Sequence, residues 1–341
     1  MYLGYVISGA RGCECQCRLE GGWFGLQDWL PNPPLCSQDV HQDTATEAVR
    51  TAFDLGITLF DTSPFYGLTK SEDVLGQALR DAGLPRDQFV LATKVGRYGQ
   101  DTFDFSGPRV TRSVEESLER LHTSYIDLIQ VHDMEFGSLD QIIAETLPAL
   151  QRLKEKGLVR HIGITGLPLA CFQYVLDRVP CGTVDVVLSY CHYTLCDQSL
   201  GRILPYLESK AVGVINASVL GMGLLTPHGP PAWHPAPAEL QAAARAAARA
   251  ADAHAVDLPK LATMFSVANP GIATHLIGFS TPDQVRNAVH AVLQAQGLEE
   301  NAQAEQEERA MVEIREILAG TAQVTWPSGL PENSDEQLAA R

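Results

Sequence analysis

The run Phe89-Val90-Leu91-Ala92-Thr93-Lys94-Val95 is followed, after an amphipathic segment at 110–121, by Tyr125-Ile126-Asp127-Leu128-Ile129-Gln130-Val131-His132. Both runs are rich in Val, Ile and Leu with few interruptions, the composition of strands covered on both faces, and the segment between them repeats its apolar residues at helical spacing. Strand, helix and strand in this order make a parallel βαβ unit. The same alternation continues in both directions. Strands are predicted at 57–62, 89–95, 125–132, 159–165, 184–192, 213–219 and 274–280, and helices at 45–55, 71–81, 110–121, 139–156, 168–179, 200–210, 258–268 and 282–293. An eighth strand before residue 44 would close a (β/α)8 barrel of the TIM type, in the α/β class.

Residues 1–43 show no persuasive period and read as an irregular N-terminal segment, so the first strand is poorly defined or missing; 3–8 is the best candidate for it. The barrel is expected over 44–327, with a mobile tail at 328–341. The Ala-Ala-Ala-Arg repeats at 239–254 read as a helix on propensity alone. Cys13, Cys15, Cys17 and Cys36 lack the C-x₂-C spacing of a zinc knuckle, and free thiols are the favoured reading.

The charge balance excludes several roles. The chain of 341 residues carries 41 acidic against 25 basic side chains, a net charge of −16 that repels phosphate backbones, so no nucleic-acid partner is expected. No apolar run is long enough to span a membrane, and the apolar first ten residues lack the basic flank of a signal peptide. Eight cysteines in a chain of this length fit a reduced, cytoplasmic protein. Nothing in the sequence implies an oligomer.

Catalytic groups of such barrels sit where strands end. Asp61 ends one predicted strand, Tyr66 lies on the loop that follows, Lys94 lies near the end of the next, and His132 closes the one after. Singly, each has a structural explanation: a turn cap, a rim aromatic, a snorkelling lysine, a core histidine. Jointly they match a chemistry. A buried lysine needs a partner, and Asp61 at the neighbouring strand end supplies one. An ammonium beside Tyr66 favours its phenolate, which can take the proton of an alcohol as hydride leaves carbon, and His132 can align the reacting oxygen. This chemistry requires no metal.

The Asp–Tyr–Lys–His set at these strand ends resembles the catalytic tetrad of the aldo-keto reductase superfamily. The stretches Val131-His132-Asp133-Met134-Glu135-Phe136-Gly137-Ser138-Leu139-Asp140 and Val324-Thr325-Trp326-Pro327-Ser328-Gly329 narrow the resemblance to the plant-type L-galactose dehydrogenase group. That resemblance implies NAD-dependent oxidation of L-galactose at C1 to L-galactono-1,4-lactone, a step of ascorbate synthesis, with a small sugar as substrate. It further implies cofactor contacts from Thr165, Tyr190, Ser218, Leu220, Gly221, Gly223, Gly278, Ser280, Thr281 and Gln284, and substrate contacts from Asp133, His192 and Tyr193. Gly278 and Gln284 stand where NADP-specific relatives carry a Lys and an Arg, which points to NAD, although Arg286 lies close by. Relatives that carry Ser-Asn after the fifth strand are matched here by Thr165-Gly166. The alternatives are an NADPH-linked aldehyde or ketone reductase, and a non-catalytic regulatory subunit built on a reductase-like barrel.

Overall fold

The computed structural model describes residues 3–7, as backbone, and 41–341. The cysteine cluster at Cys13, Cys15, Cys17 and Cys36 lies outside the described residues. Seven parallel strands form most of a barrel wall: β2 (Leu59–Asp61), β3 (Val90–Val95), β4 (Ile126–Val131), β5 (Val159–Gly166), β6 (Val186–Tyr190), β7 (Gly213–Ala217) and β8 (Thr274–Phe279). Each falls within two residues of its predicted limits. The gap between β8 and β2 is closed by β1 (Leu3–Ile7), where the sequence offers its first-strand candidate. It runs opposite to expectation: β1 is antiparallel to both neighbours, with Gly4 opposite Asp61 and Leu3 opposite Phe279.

The helices alternate with the strands: α1 (Gln42–Asp54), α2 (Lys70–Ala82), α3 (Gly107–Arg120), α4 (Leu139–Gln141), α5 (Leu147–Glu155), α6 (Leu169–Leu176), α7 (Leu200–Ser209), α8 (Ala238–Ala253), α9 (Leu258–Val267), α10 (Pro282–Ala295), α11 (Ala304–Ala319) and α12 (Asp335–Ala339). Helix α3 shows why. Val110, Val114 and Ser117 recur every three or four residues and are buried, so one stripe of the helix faces the barrel. The helix predicted at 139–156 forms as α4 and α5 joined by a π-helical turn over Ile142–Thr146. Among the described residues, no helix is long and apolar enough to cross a membrane.

The segment after Ser328, expected to be mobile, is instead bound to the barrel. Ser334 caps α12, Leu338 is buried, and Asp335 accepts a hydrogen bond from Ala170 N at the start of α6 (2.8 Å). Asn333 is also buried and holds two backbone carbonyls of the 135–137 turn. Polar composition suggested freedom there; the partners that remove it lie far away in sequence.

Candidate active site

Asp61, Lys94 and the residue after β4, His132, reach one end of the barrel because the parallel register sets their strands side by side: Asp61 pairs with Ala92, and Lys94 with Gln130. Paired residues in parallel strands point to the same face, so the polar ends gather inside the mouth. Lys94 is 1 % exposed and donates to Asp61 Oδ1 and to the Thr62 carbonyl (2.9 Å). Gln130 Nε2 donates to the other Asp61 oxygen (2.8 Å), so both carboxylate oxygens are occupied. The Lys94 ammonium lies 4.8 Å from the Tyr66 ring centroid, and the Tyr66 and His132 rings meet edge to face at 5.6 Å. The four residues the sequence singles out therefore converge.

Their protonation follows from burial and charge. Burial works against the Lys94 ammonium, but Asp61 and Tyr66 outweigh it and hold its pKa above the ordinary value. Burial raises the Tyr66 phenol, and Lys94 draws it only part of the way back. The sequence argument has the ammonium favour the phenolate; Lys94 does act in that direction, but desolvation is the larger effect. His132 is lowered to about 3 by burial, with Lys94 and Arg97 adding to the effect, so it is a neutral imidazole. Ser63 Oγ accepts from Phe65 N (3.0 Å) and lies 3.1 Å from His132 Nδ1, while the Asp133 carboxylate is 3.6 Å from Nε2. The ring proton is accordingly assigned to Nε2, where it can be donated to a substrate oxygen.

Tyr66, Lys94 and His132 line a cavity of about 440 Å³, within the usual range for ligand pockets, with Asp61 behind Lys94. Of the expected contacts, Asp133, Thr165, Tyr190 and Ser218 also line it. The Asp133 backbone has φ 48 and its amide donates to Thr165 Oγ1 (2.9 Å), which leaves the threonine hydroxyl hydrogen to donate elsewhere. The Asp133 carboxylate is ion-paired with Arg97, a buried residue the sequence argument did not select. Phe65, Phe103 and Phe136 surround that guanidinium, with ring centroids at 3.9, 5.2 and 5.6 Å. Its signal was faint: an arginine just past a strand end. Gln130 and Ser63 left clearer ones, a polar residue inside an apolar strand and a hydroxyl two residues beyond Asp61.

Two expected substrate residues do not reach the cavity lining. His192 is buried, its Nδ1 2.7 Å from Asp197 Oδ2 and 3.0 Å from Ser199 Oγ, so it organises the turn after β6. Tyr193 stacks on Phe265 at 5.7 Å, outside the barrel. The remaining residues expected to contact cofactor lie outside the cavity lining. Leu220 packs in the core, while Gly221 and Gly223 form a tight left-handed loop whose Gly221 carbonyl accepts from His234 Nε2 (2.9 Å). Gly278 is in β8. Ser280 and Thr281 are exposed, and Gln284 Oε1 accepts from both of their amides, at 2.8 and 3.3 Å, in a capping box at the start of α10.

Comparison with known proteins accounts for this arrangement. The chain is 51 % identical over 294 residues to the L-galactose dehydrogenase of Arabidopsis thaliana, covering 86 % of this chain and 90 % of that one. It is 36 % identical over 253 residues to the D-arabinose 1-dehydrogenase of Saccharomyces cerevisiae, covering 71 % and 75 %. Among solved structures, the holo form of an aldo-keto reductase from Bacillus halodurans superposes with a TM-score of 0.68 at 25 % identity, covering 95 % of this chain and 98 % of that one. The aldo/keto reductase family profile matches residues 23–305, and the chain belongs to that family of oxidoreductases.

Proposed function

We propose that this chain oxidises L-galactose at C1, yielding L-galactono-1,4-lactone, with NAD as its cofactor. The carrying observation is the buried Tyr66–Lys94–Asp61 chain, with neutral His132 beside it, at the wall of a cavity large enough for a sugar. The 51 % identity to L-galactose dehydrogenase supplies the substrate. As the anomeric carbon loses hydride, its hydroxyl must lose a proton. Tyr66 takes that proton as phenolate, the minor form, stabilised by Lys94, and His132 Nε2–H holds the reacting oxygen. Asp133, held ionised by the Arg97 guanidinium despite burial, accepts from ring hydroxyls. Because the Tyr66 pKa is raised, turnover of the sugar should rise with pH across the neutral range.

The residues present suit a nicotinamide dinucleotide, which when bound would accept the hydride. Tyr190 and the Thr165 hydroxyl would hold the nicotinamide end, the Ser218–Gly223 loop the pyrophosphate, and Ser280, Thr281 and Gln284 the adenosine side. A ribose 2′-phosphate requires free cations, and Arg286 is already bonded to Asp283 (2.8 Å), which favours NAD over NADP. The test is NADH formation with L-galactose, followed by titration with both dinucleotides. A folded, cofactor-loaded sample that never turns over rejects the reaction, and tighter binding of NADP rejects the NAD assignment.

A further inference from the structure

One buried acid at the barrel mouth has no part in this chemistry. Glu135 is fully buried on the turn after β4, and one of its oxygens, Oε1, accepts three hydrogen bonds from three separate parts of the chain. Leu167 N, just past β5, donates at 3.1 Å; Tyr190 OH, at the end of β6, at 3.1 Å; Ser328 Oγ, on the C-terminal segment, at 2.9 Å. Its backbone carbonyl adds two more bonds to that segment, from Leu330 N (2.8 Å) and Asn333 Nδ2 (2.9 Å). Space is reserved for it. A Cβ at Gly166 would lie 2.8 Å from Glu135 Oε2, and any side chain at Gly329, where φ is 79, would collide with the Glu135 carbonyl. Tyr190, Ser328 and Gly329 all line the cavity.

We propose that Glu135 is a positioning residue: one carboxyl oxygen fixes Tyr190 and the 327–330 segment as the cavity walls against which dinucleotide and sugar are held. The proposal rests on the reading of the cavity given above, and Glu135 itself contacts neither ligand. Asp133 on the same turn, Tyr190 from β6 and Cys171 from α6 are the titratable groups around it, and among the described residues no lysine or arginine forms an ion pair with it. Burial and Asp133 accordingly raise its pKa to about 7, so the strength of the three bonds changes within the neutral range. An ionised acceptor binds its donors more strongly than a neutral one, so the walls tighten as pH rises.

The test uses the full chain as wild type, Glu135→Gln, Glu135→Ala and Gly166→Ala, measuring kcat and KM for L-galactose and NADH affinity by fluorescence from pH 5.5 to 8.5. Wild-type KM should fall as pH rises through 7. Glu135→Gln keeps an acceptor oxygen but does not titrate, so it should hold the low-pH value throughout. Glu135→Ala should raise KM by about tenfold or more while kcat changes less, with Gln recovering most of that loss. Wild-type KM and NADH affinity in Glu135→Ala, or a Gln variant as impaired as Ala, overturn the proposal. If Glu135→Ala does not fold, Gly166→Ala decides: it pushes the carboxyl from its seat and should raise KM, and an unchanged KM rejects the idea. If the wild type binds NADH but leaves L-galactose untouched, the substrate assignment has failed, and the NADH affinities of the variants still judge Glu135.

Discussion

Asp61 and Glu135 are both buried carboxyls at the mouth of one barrel, both raised in pKa by burial, and they differ in the partners that meet them. Asp61 faces an ammonium and an amide, and although burial still raises its pKa, Lys94 and Gln130 oppose that rise from within hydrogen-bonding distance. Glu135 receives only neutral donors, and burial with a neighbouring Asp133 carries its pKa to about 7. A cationic partner opposes the cost of burying a charge where chemistry needs one; its absence leaves a group whose state follows the solution.

The sharpest test of the compensated side is removal of the group it serves. Tyr66→Phe should lower kcat by about a thousandfold, within the range for loss of a general acid–base group, while NADH affinity stays within about twofold. A variant with near-normal turnover would remove Tyr66 from its role. Lys94→Met should cost roughly a hundredfold or more in kcat, and it also strands Asp61 as an unpaired buried charge, a penalty of about 3–5 kcal/mol. Adding Asp61→Asn should restore much of the stability and none of the turnover. Recovery of turnover in the double variant would show that Lys94 serves the fold alone.

The two sides also differ in how readable they are. Asp61, Lys94 and His132 each sit at the end of an apolar run, so predicting strands located them, and the barrel rule brought them together. Tyr66 needed only the loop that follows. Glu135 bonds Ser328 across 193 positions, and no local pattern announces such a contact. The packing of 328–341 was hidden for the same reason. Polar, Pro- and Gly-containing sequence reads as a tail until Asn333 and Ser328 are seen to have partners. His192 and Tyr193 show the reverse error: their strand was located correctly, but the turn after β6 folds them away from the mouth, and periodicity does not report where a turn points. The first strand was placed by its apolar run, while its direction, set by pairing with β8 and β2, was not readable.

The uncompensated side makes a prediction about stability. The ordinary Glu value of 4.5 applies to the unfolded chain and about 7 to the folded one, so the native state binds the proton more tightly. Its contribution is then fully present below pH 4.5 and is lost as pH rises through 7, by roughly 3 kcal/mol in the limit. Glu135→Gln should therefore match wild type in thermal unfolding at pH 5 and exceed it at pH 8. If the two proteins show the same pH dependence, Glu135 is ionised at ordinary values and the contrast with Asp61 disappears.

The smallest expected effect concerns Ser63, which links the compensated cluster to the residue that orients the substrate. Its hydroxyl bridges Phe65 N and His132 Nδ1, and this bridge, with Asp133 near Nε2, keeps the imidazole proton aimed at the cavity. Ser63→Ala removes both hydrogen bonds, and the one to His132, a neutral bond worth about 0.5–1.5 kcal/mol, bears on catalysis, so kcat should fall roughly three- to tenfold without a change in NADH affinity. Because the ring acts only by holding the oxygen whose proton Tyr66 takes, the same substitution in a Tyr66→Phe background should cost little further, and the two losses should not add. Full additivity would mean that Ser63 supports the loop around Phe65 and leaves His132 alone. The orientation of the imidazole would then rest on Asp133, and through it on the Arg97 ion pair.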